Sequence, residues 1–199
     1  MNIYRQEYKY IKNVKIFSKI VNFTNLGFIK EIHNKRMVNS IYFDDFHNTA
    51  FFEAEEGIRP RKKIRIRNYN KSNEFFLEEK QSFSHYRSKN TKHIDNNLKN
   101  NLIFKGIFDK KLGMIYPKIH INYSRRYFLF DEIRITIDEN LNYNLFNSNI
   151  IYKDKFSIIE FKSSSHNSLD KIINLCNEYP VKFSKYCEAY KKIYNTNSV

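Results

Sequence analysis

Glycine and proline are scarce in this chain of 199 residues, which has four of the first and three of the second. So few leave no glycine-rich phosphate loop, and a P-loop or a dinucleotide-binding fingerprint is excluded. Cysteine is scarcer still. Cys176 and Cys187 show no C-x-x-C or Cys/His spacing, so neither a disulfide framework nor a structural zinc site is expected, and a reducing, cytoplasmic compartment is. No apolar run approaches the roughly 18 residues of a membrane span, and the opening MNIYRQEYKYIKN lacks an apolar signal core. A soluble chain without a transmembrane segment is expected, with membrane association only through a partner protein. Acidic residues are also few, at 21 Asp+Glu against 35 Lys+Arg, for a formal charge of +14 and a pI near 9.6. That imbalance suits a polyanionic partner, whether nucleic acid, anionic lipid or phosphorylated small molecules and polymers.

What the chain has in quantity is isoleucine, tyrosine and phenylalanine in alternating runs. At this length one domain spanning 1–199 is expected, able to bury roughly 70% of its unfolded surface. Aromatic and β-branched enrichment predicts strands near 3–11, 37–44, 60–69, 74–83, 117–128, 132–138 and 156–162. Helices are predicted near 13–22 and 46–56, after Ser168 through Leu169, Ile172, Ile173 and Cys176, and after Pro180 with Phe183, Tyr186, Cys187, Tyr190 and Tyr194 on one stripe. The Asn- and Lys-rich stretch 88–101 reads as a loop. Many strands with helices at their edges suggest an α+β fold built on an antiparallel β-barrel, since closure removes exposed sheet edges.

The alternation carries the functional signal. In RPRKKIRIRNYN, residues 59–70, Lys63, Arg65 and Arg67 share one face of a strand and Ile64 and Ile66 the other. The same period of two aligns Arg5, Glu7 and Lys9, then Glu78 and Lys80, Tyr123 and Arg125, Arg134, Thr136 and Asp138, and Glu160 and Lys162. The opposite faces read Ile133, Ile135 and Ile137, or Ile159 and Phe161, and require a dry environment. A solvated basic face would have to recur on six strands. A barrel wrapped by helices, with a charged lumen holding water or a multiply charged anion, satisfies both sets. Of ten arginines, Arg5, Arg65, Arg67, Arg87, Arg125 and Arg134 fall on the inward set, and guanidinium forks grip phosphate oxygens bidentately. Inward cations are beyond the reach of a duplex, so nucleic acid is not expected. Glu7, Glu78, Asp138 and Glu160 have no accompanying histidine pair; carboxylates beside phosphates suit Mg²⁺ or Mn²⁺ instead.

The series RQEYKY (5–10), NSIYFDD (39–45), RKKIRIRNY (61–69), FLEEK (76–80), INYSRRYF (121–128), IRITID (133–138), IIEFK (158–162) and VKFSKY (181–186) resembles the VTC domain, the polyphosphate polymerase branch of the triphosphate tunnel metalloenzymes. The resemblance runs from residue 3 to about 190. It implies an eight-stranded tunnel barrel, closed by a C-terminal helix, in which the γ-phosphoryl group of ATP passes to a growing polyphosphate chain with Mn²⁺ or Mg²⁺. By motif position it implies phosphate ligands at Lys9, Arg65, Arg67, Lys80, Arg125 and Arg134, with Tyr123 beside them and Arg87 at a further cation position. Lys182 and Lys185 match lysines of the closing helix, and Glu160 matches a metal-binding glutamate. Arg5, Lys63 and Lys162 complete the expected phosphate contacts, and Glu7, Glu78 and Asp138 the expected metal contacts. Hydrolytic tunnel enzymes open on E-x-E-x-K, and Arg5 in place of the first glutamate tilts the expectation toward a polymerase. Two other readings stay open: a metal-dependent hydrolase of inorganic triphosphate or nucleoside triphosphates, and a non-catalytic polyphosphate- or polyanion-binding module.

Overall fold

The computed structural model describes residues 6–12, 29–84, 86–164 and 179–195. The helices expected near 13–22 and after Ser168 lie outside the described residues, as do Arg5 and His85. Ten strands are described: β1 (Gln6–Lys12), β2 (Lys30–Asp44), β3 (Arg61–Tyr69), β4 (Phe75–Ser82), β5 (Arg87–Ile94), β6 (Ile107–Asp109), β7 (Gly113–Phe130), β8 (Ile133–Leu145), β9 (Tyr152–Lys153) and β10 (Ser157–Ser163). Three helices accompany them: α1 (Thr49–Glu56), α2 (Asn96–Lys105) and α3 (Lys185–Asn195). The hydrogen-bonded order is β1-β10-β8-β7-β2-β3-β4-β5, with β6 appended to β7 and β9 to β8. Every pair with a described register is antiparallel. The α+β expectation with eight principal antiparallel strands holds.

The chain divides into two compact units. The first comprises the described parts of Met1–Arg36 with Tyr123–Leu141 and Asp154–Phe183, and the second Met37–Asn122, Asn142–Lys153 and the described part of Ser184–Val199. In the first unit Ile133, Ile135 and Ile137 of β8, Ile159 and Phe161 of β10, and Tyr10 of β1 form a buried cluster. These are the alternate positions that face away from the charged set, and each large side chain contributes roughly 1.5–3 kcal/mol on burial. The second unit has its own cluster, in which Ile64 and Ile66 of β3 pack with Phe43, Ala50, Ile94, Leu112 and Ile115.

Local chemistry sets the second unit's helices. Asn48, the residue before α1, offers no side-chain cap. Asp45 replaces it, accepting from the Thr49 N–H at 2.7 Å and the Thr49 hydroxyl at 2.6 Å, while the buried Asp44 accepts from the N–H groups of Ala50 and Phe51. These bonds satisfy first-turn donors that have no intrahelical partner. Helix α2 is capped by Asp95, which accepts from the Leu98 N–H at 2.7 Å, and ends at Gly106. There φ is +81°, and an added Cβ would stand 2.8 Å from the Ile115 carbonyl oxygen, so only glycine fits.

The loop expected over 88–101 is corrected: these residues form most of β5 and the start of α2. β5 pairs along its whole length with β4, from Ser82↔Arg87 to Phe75↔Ile94. Seven of its eight residues are exposed and only Ile94 is buried, so no apolar alternation was there to read. Backbone bonds to β4 make the strand. The strand expected at 37–44 is corrected to a start at Lys30; its first residues are largely exposed and polar, so no apolar alternation marks them in the sequence.

Candidate functional site

In the second unit, cross-strand pairing sorts the charges into rows. Paired residues share a face of the sheet, so Lys63↔Lys80↔Lys89 is a row of three cations, and Tyr42↔Arg65↔Glu78↔Thr91 and Ser40↔Arg67↔Phe76↔His93 are the next two. Arg65 donates through Nε to Glu78 Oε2 at 2.7 Å, and its Nη2 lies 2.6 Å from the same oxygen. Lys89 reaches Glu78 Oε1 at 2.6 Å, and Arg67 Nη1 stands 3.6 Å from Oε2. Burial alone would raise the Glu78 carboxyl, but Arg65, Arg67 and Lys89 hold it down at about 2. Arg67, 6% exposed, also donates to the Ser40 hydroxyl at 3.0 Å.

Tyr42, Ser40, Asp44 and Tyr186 were not among the expected site residues, although Ser40, Tyr42 and Asp44 alternate in NSIYFDD with the same period of two. Arg65 donates to the Tyr42 hydroxyl at 2.6 Å and lies 5.5 Å from its ring centre. Burial pushes the Tyr42 phenol up, but the charges of Arg65, Arg67 and Lys185 bring it down to about 8. Tyr186 of α3 stacks on Tyr42 with ring centres 5.2 Å apart and donates to Asp44 at 2.6 Å. Ser184, just before α3, accepts from the Cys187 N–H at 3.4 Å and from Lys63 Nζ at 2.7 Å. Lys185 is half-buried, whereas Lys80 and Arg87 are exposed. Cys187 is buried in the core as its place on the apolar stripe predicts.

In the first unit the register sets Glu7 opposite Lys162, Lys162 opposite Arg134, and Lys9 opposite Glu160. Lys9 Nζ lies 2.6 Å from Glu7 and donates to the Phe183 carbonyl at 3.0 Å. The Val181 N–H donates to the Lys9 carbonyl at 2.8 Å, which lays the segment carrying the exposed Lys182 along β1. Lys162 pairs with Glu160 and stands 3.4 Å from Glu7. Burial would raise the Glu160 carboxyl; Lys162, Lys9 and Arg125 outweigh it and leave the group below the usual glutamate range, against the opposing charge of Glu7. Arg125 grips the fully buried Asp138 with two bonds, 2.5 Å from Nε and 2.8 Å from Nη2, and lies 5.3 Å from the ring centre of the buried Tyr123. Arg134 lies on the charged face but is exposed, one residue into β8.

The four expected metal carboxylates therefore differ. Asp138 is saturated by the Arg125 fork, and Glu78 is held by Arg65, Arg67 and Lys89. Glu7 and Glu160 sit on adjoining strands and share Lys162. Among the described residues no three His, Cys, Asp or Glu side chains converge. Two carboxylates fit a small divalent ion that completes its shell with phosphate oxygens and water.

No curated protein matches the chain by sequence. Among solved structures, the PH1819 protein of Pyrococcus horikoshii OT3 superposes with a TM-score of 0.63 at 19% identity, covering 95% of this chain and 99% of that one. A candidate adenylate cyclase of Bacillus halodurans gives 0.62 at 13% identity over 92% and 96% of the two chains. The Hippeastrum protein HpAC1, a candidate adenylyl cyclase described with a dominant triphosphatase activity, gives 0.60 at 10% identity over 94% and 95%. These likenesses establish the fold. The VTC domain is matched over residues 4–112 and 106–194, nearly the whole sequence, and the chain belongs to the VTC-domain family.

Proposed function

We propose that this chain is a phosphotransferase that moves the γ-phosphoryl group of ATP onto the end of a growing inorganic polyphosphate chain. The observation that supports it most is the β3 face, where Lys63, Arg65 and Arg67 line up beside Lys80 and Lys89 with Glu78 as the carboxylate between them. Cations packed this densely need a multiply charged anion. The terminal oxygen of polyphosphate, already ionised, attacks the γ-phosphorus; the bond to the β-phosphate oxygen breaks, and ADP leaves with the electron pair. Such a transfer requires positioning and charge stabilisation rather than a covalent nucleophile. Lys9, Arg65, Arg67, Lys80, Arg125 and Arg134 take the phosphate charge, supported by Arg5, Lys63, Arg87, Tyr123, Lys162, Lys182 and Lys185. Glu7 and Glu160 would hold a divalent ion, which when bound would neutralise charge on phosphate oxygens. Glu78 and Asp138 instead hold their arginines in place.

A second reading, hydrolysis of triphosphates, is favoured by the activity described for the Hippeastrum protein. In that case water replaces the polyphosphate end. Incubation of the purified protein with ATP and Mn²⁺, followed by assay of long-chain polyphosphate and free phosphate, separates the readings. Polymer supports the transferase, free phosphate alone supports the hydrolase, and neither product leaves a binding module.

A further inference from the structure

The hairpin of β6 and β7 departs from the pattern that its burial sets. Ile107 and Ile115 pair across it, Ile115 in the second unit's core and Ile107 packed against that core. The neighbouring pair, Phe108 and Met114, therefore points the other way. A strand with one face buried usually carries polar residues on the other. Here the outward set is Phe108, Met114 and Tyr116, all exposed. Tyr116 carries the set on to the end of α2: a Cβ added at Gly106 would stand 2.9 Å from its Cε1, and Phe104 lies two residues before that glycine, in the helix's last turn. In the other direction Lys118, the next residue on this face of β7, holds its ammonium 6.0 Å from the ring centre of Phe46. Phe46 and Phe104 are each 85% exposed and Phe108 is 72% exposed. Single exposed apolar side chains are ordinary, whereas a contiguous string of them marks an interaction surface.

Charge selects the occupant. Residues 96–122 contain five lysines and one acid. That acid, Asp109, is buried and engaged: it accepts from Lys62 at 2.7 Å and from the N–H groups of Lys111 and Leu112. Asp44 and Asp45, which precede Phe46, are turned to the first turn of α1. Lys105 and Lys110 are exposed beside Phe104 and Phe108 in the chain. Aromatic rings rimmed by lysines are complementary to an anionic lipid interface, where rings sit at headgroup level and ammonium groups meet the lipid phosphates. Shape favours the same occupant. A ring as exposed as Phe104 has little of its own chain around it and stands out from the surface. A protein partner must offer each such ring a fitted pocket, whereas acyl chains close around a ring of any shape.

We propose that Phe46, Phe104, Phe108, Met114 and Tyr116, with Lys105, Lys110 and Lys118, form a docking surface for anionic lipid bilayers. Phe104 and Phe108 enter the interface, and the lysines hold the headgroups. None of these residues belongs to the set assigned to phosphoryl transfer, so the surface is tested apart from that reading.

The chain has no tryptophan, so Phe104→Trp places a single fluorophore on the surface. With vesicles of equal parts phosphatidylcholine and phosphatidylserine, its emission should move to shorter wavelength and be quenched by brominated acyl chains. With pure phosphatidylcholine it should do neither. In vesicle pelleting, Phe104→Ser/Phe108→Ser should bind the anionic vesicles about tenfold more weakly or worse, and Lys105→Gln/Lys110→Gln should lose a similar factor. Circular dichroism should show both variants folded, since all four positions are exposed; if the double phenylalanine variant does not fold, the double lysine variant and the emission shift carry the test. Vesicle binding that is unchanged in a folded double phenylalanine variant, or emission that neither shifts nor is quenched, would be adsorption of a basic protein and overturns the proposal. The same emission shift with a single-stranded oligonucleotide in place of vesicles overturns lipid as the ligand. A wild type that sediments as an oligomer, and a double phenylalanine variant that sediments as a monomer, would make the face a contact between copies and likewise overturn it.

Discussion

Two buried glutamates, one in each unit, show how the same side chain can be given different work. Glu78 in the second unit meets only cations: Arg65 and Arg67 at one oxygen and Lys89 at the other. Glu160 in the first unit pairs with Lys162 but also feels the negative charge of Glu7, which shares that lysine. A carboxylate whose oxygens are all engaged by guanidinium and ammonium groups acts as a strut that aims them. One that faces a second carboxylate across a single lysine is placed where a divalent ion could replace that lysine's charge. Both are buried and both are held below the usual glutamate range, so neither burial nor acidity distinguishes them; the sign of the neighbouring charge does.

The largest expected effect follows from removing what Glu78 aims. Arg65→Ala should lower turnover by at least about a hundredfold, the scale of one lost charge-stabilising donor, with the circular dichroism spectrum unchanged. A folded variant with near-normal turnover would break the assignment of the β3 face to phosphate.

Next comes acid sensitivity. The folded Glu78 carboxyl ionises near 2 against an ordinary value of 4.5, so between those values the unfolded chain binds a proton that the folded chain does not. The stabilisation is complete above about 4.5 and is lost as pH falls toward 2, amounting to of order 3 kcal/mol. Denaturant unfolding across that range should show the loss in wild type. Glu78→Gln should be less stable at neutral pH, with a flatter acid profile. A variant with the wild-type profile would show that Glu78 is not the strut described.

The smallest effect is spectroscopic. Tyr42, with its phenol near 8, should ionise before the other tyrosines in an absorbance titration, and Tyr42→Phe should remove that early step. Because the folded phenol ionises below its ordinary value of 10.0, stability contributed by the tyrosinate grows as pH rises from about 8 to 10. Triphosphate bound to Arg65 and Arg67 would offset the field that lowers the phenol, so the early step should move to higher pH on binding. An unmoved step would separate Tyr42 from the phosphate site.

Much of this is legible in the sequence. The alternation in KIRIR, RITID and IIEFK places cations on one face and isoleucines on the other, and the buried clusters contain those isoleucines. Lys63 and Lys80 on one face, and Lys9 opposite Glu160, are consequences of the same period once the strands pair. What could not be read depended on pairing rather than pattern. β5 has almost no apolar residue to mark it, so the contact of Lys89 with Glu78 had no sequence signal. Asp138 reads as an acid on the charged face, and only the geometry of Arg125 shows both its oxygens taken. The exposure of Arg134, at the second position of its strand, is likewise invisible to a periodicity that records faces but not depth.

The contrast between the two glutamates is tested most directly by titrating Mn²⁺ against turnover for wild type, Glu160→Gln and Glu78→Gln. Glu160→Gln should need a higher Mn²⁺ concentration for half-maximal activity and reach a much lower maximum, while its metal-free affinity for triphosphate is kept or rises, since one negative charge has left an anion site. Glu78→Gln should lose turnover through misaimed arginines with its Mn²⁺ midpoint unchanged. Identical midpoints for wild type and Glu160→Gln would contradict the account and make Glu160 an ion-pair partner of Lys162 alone.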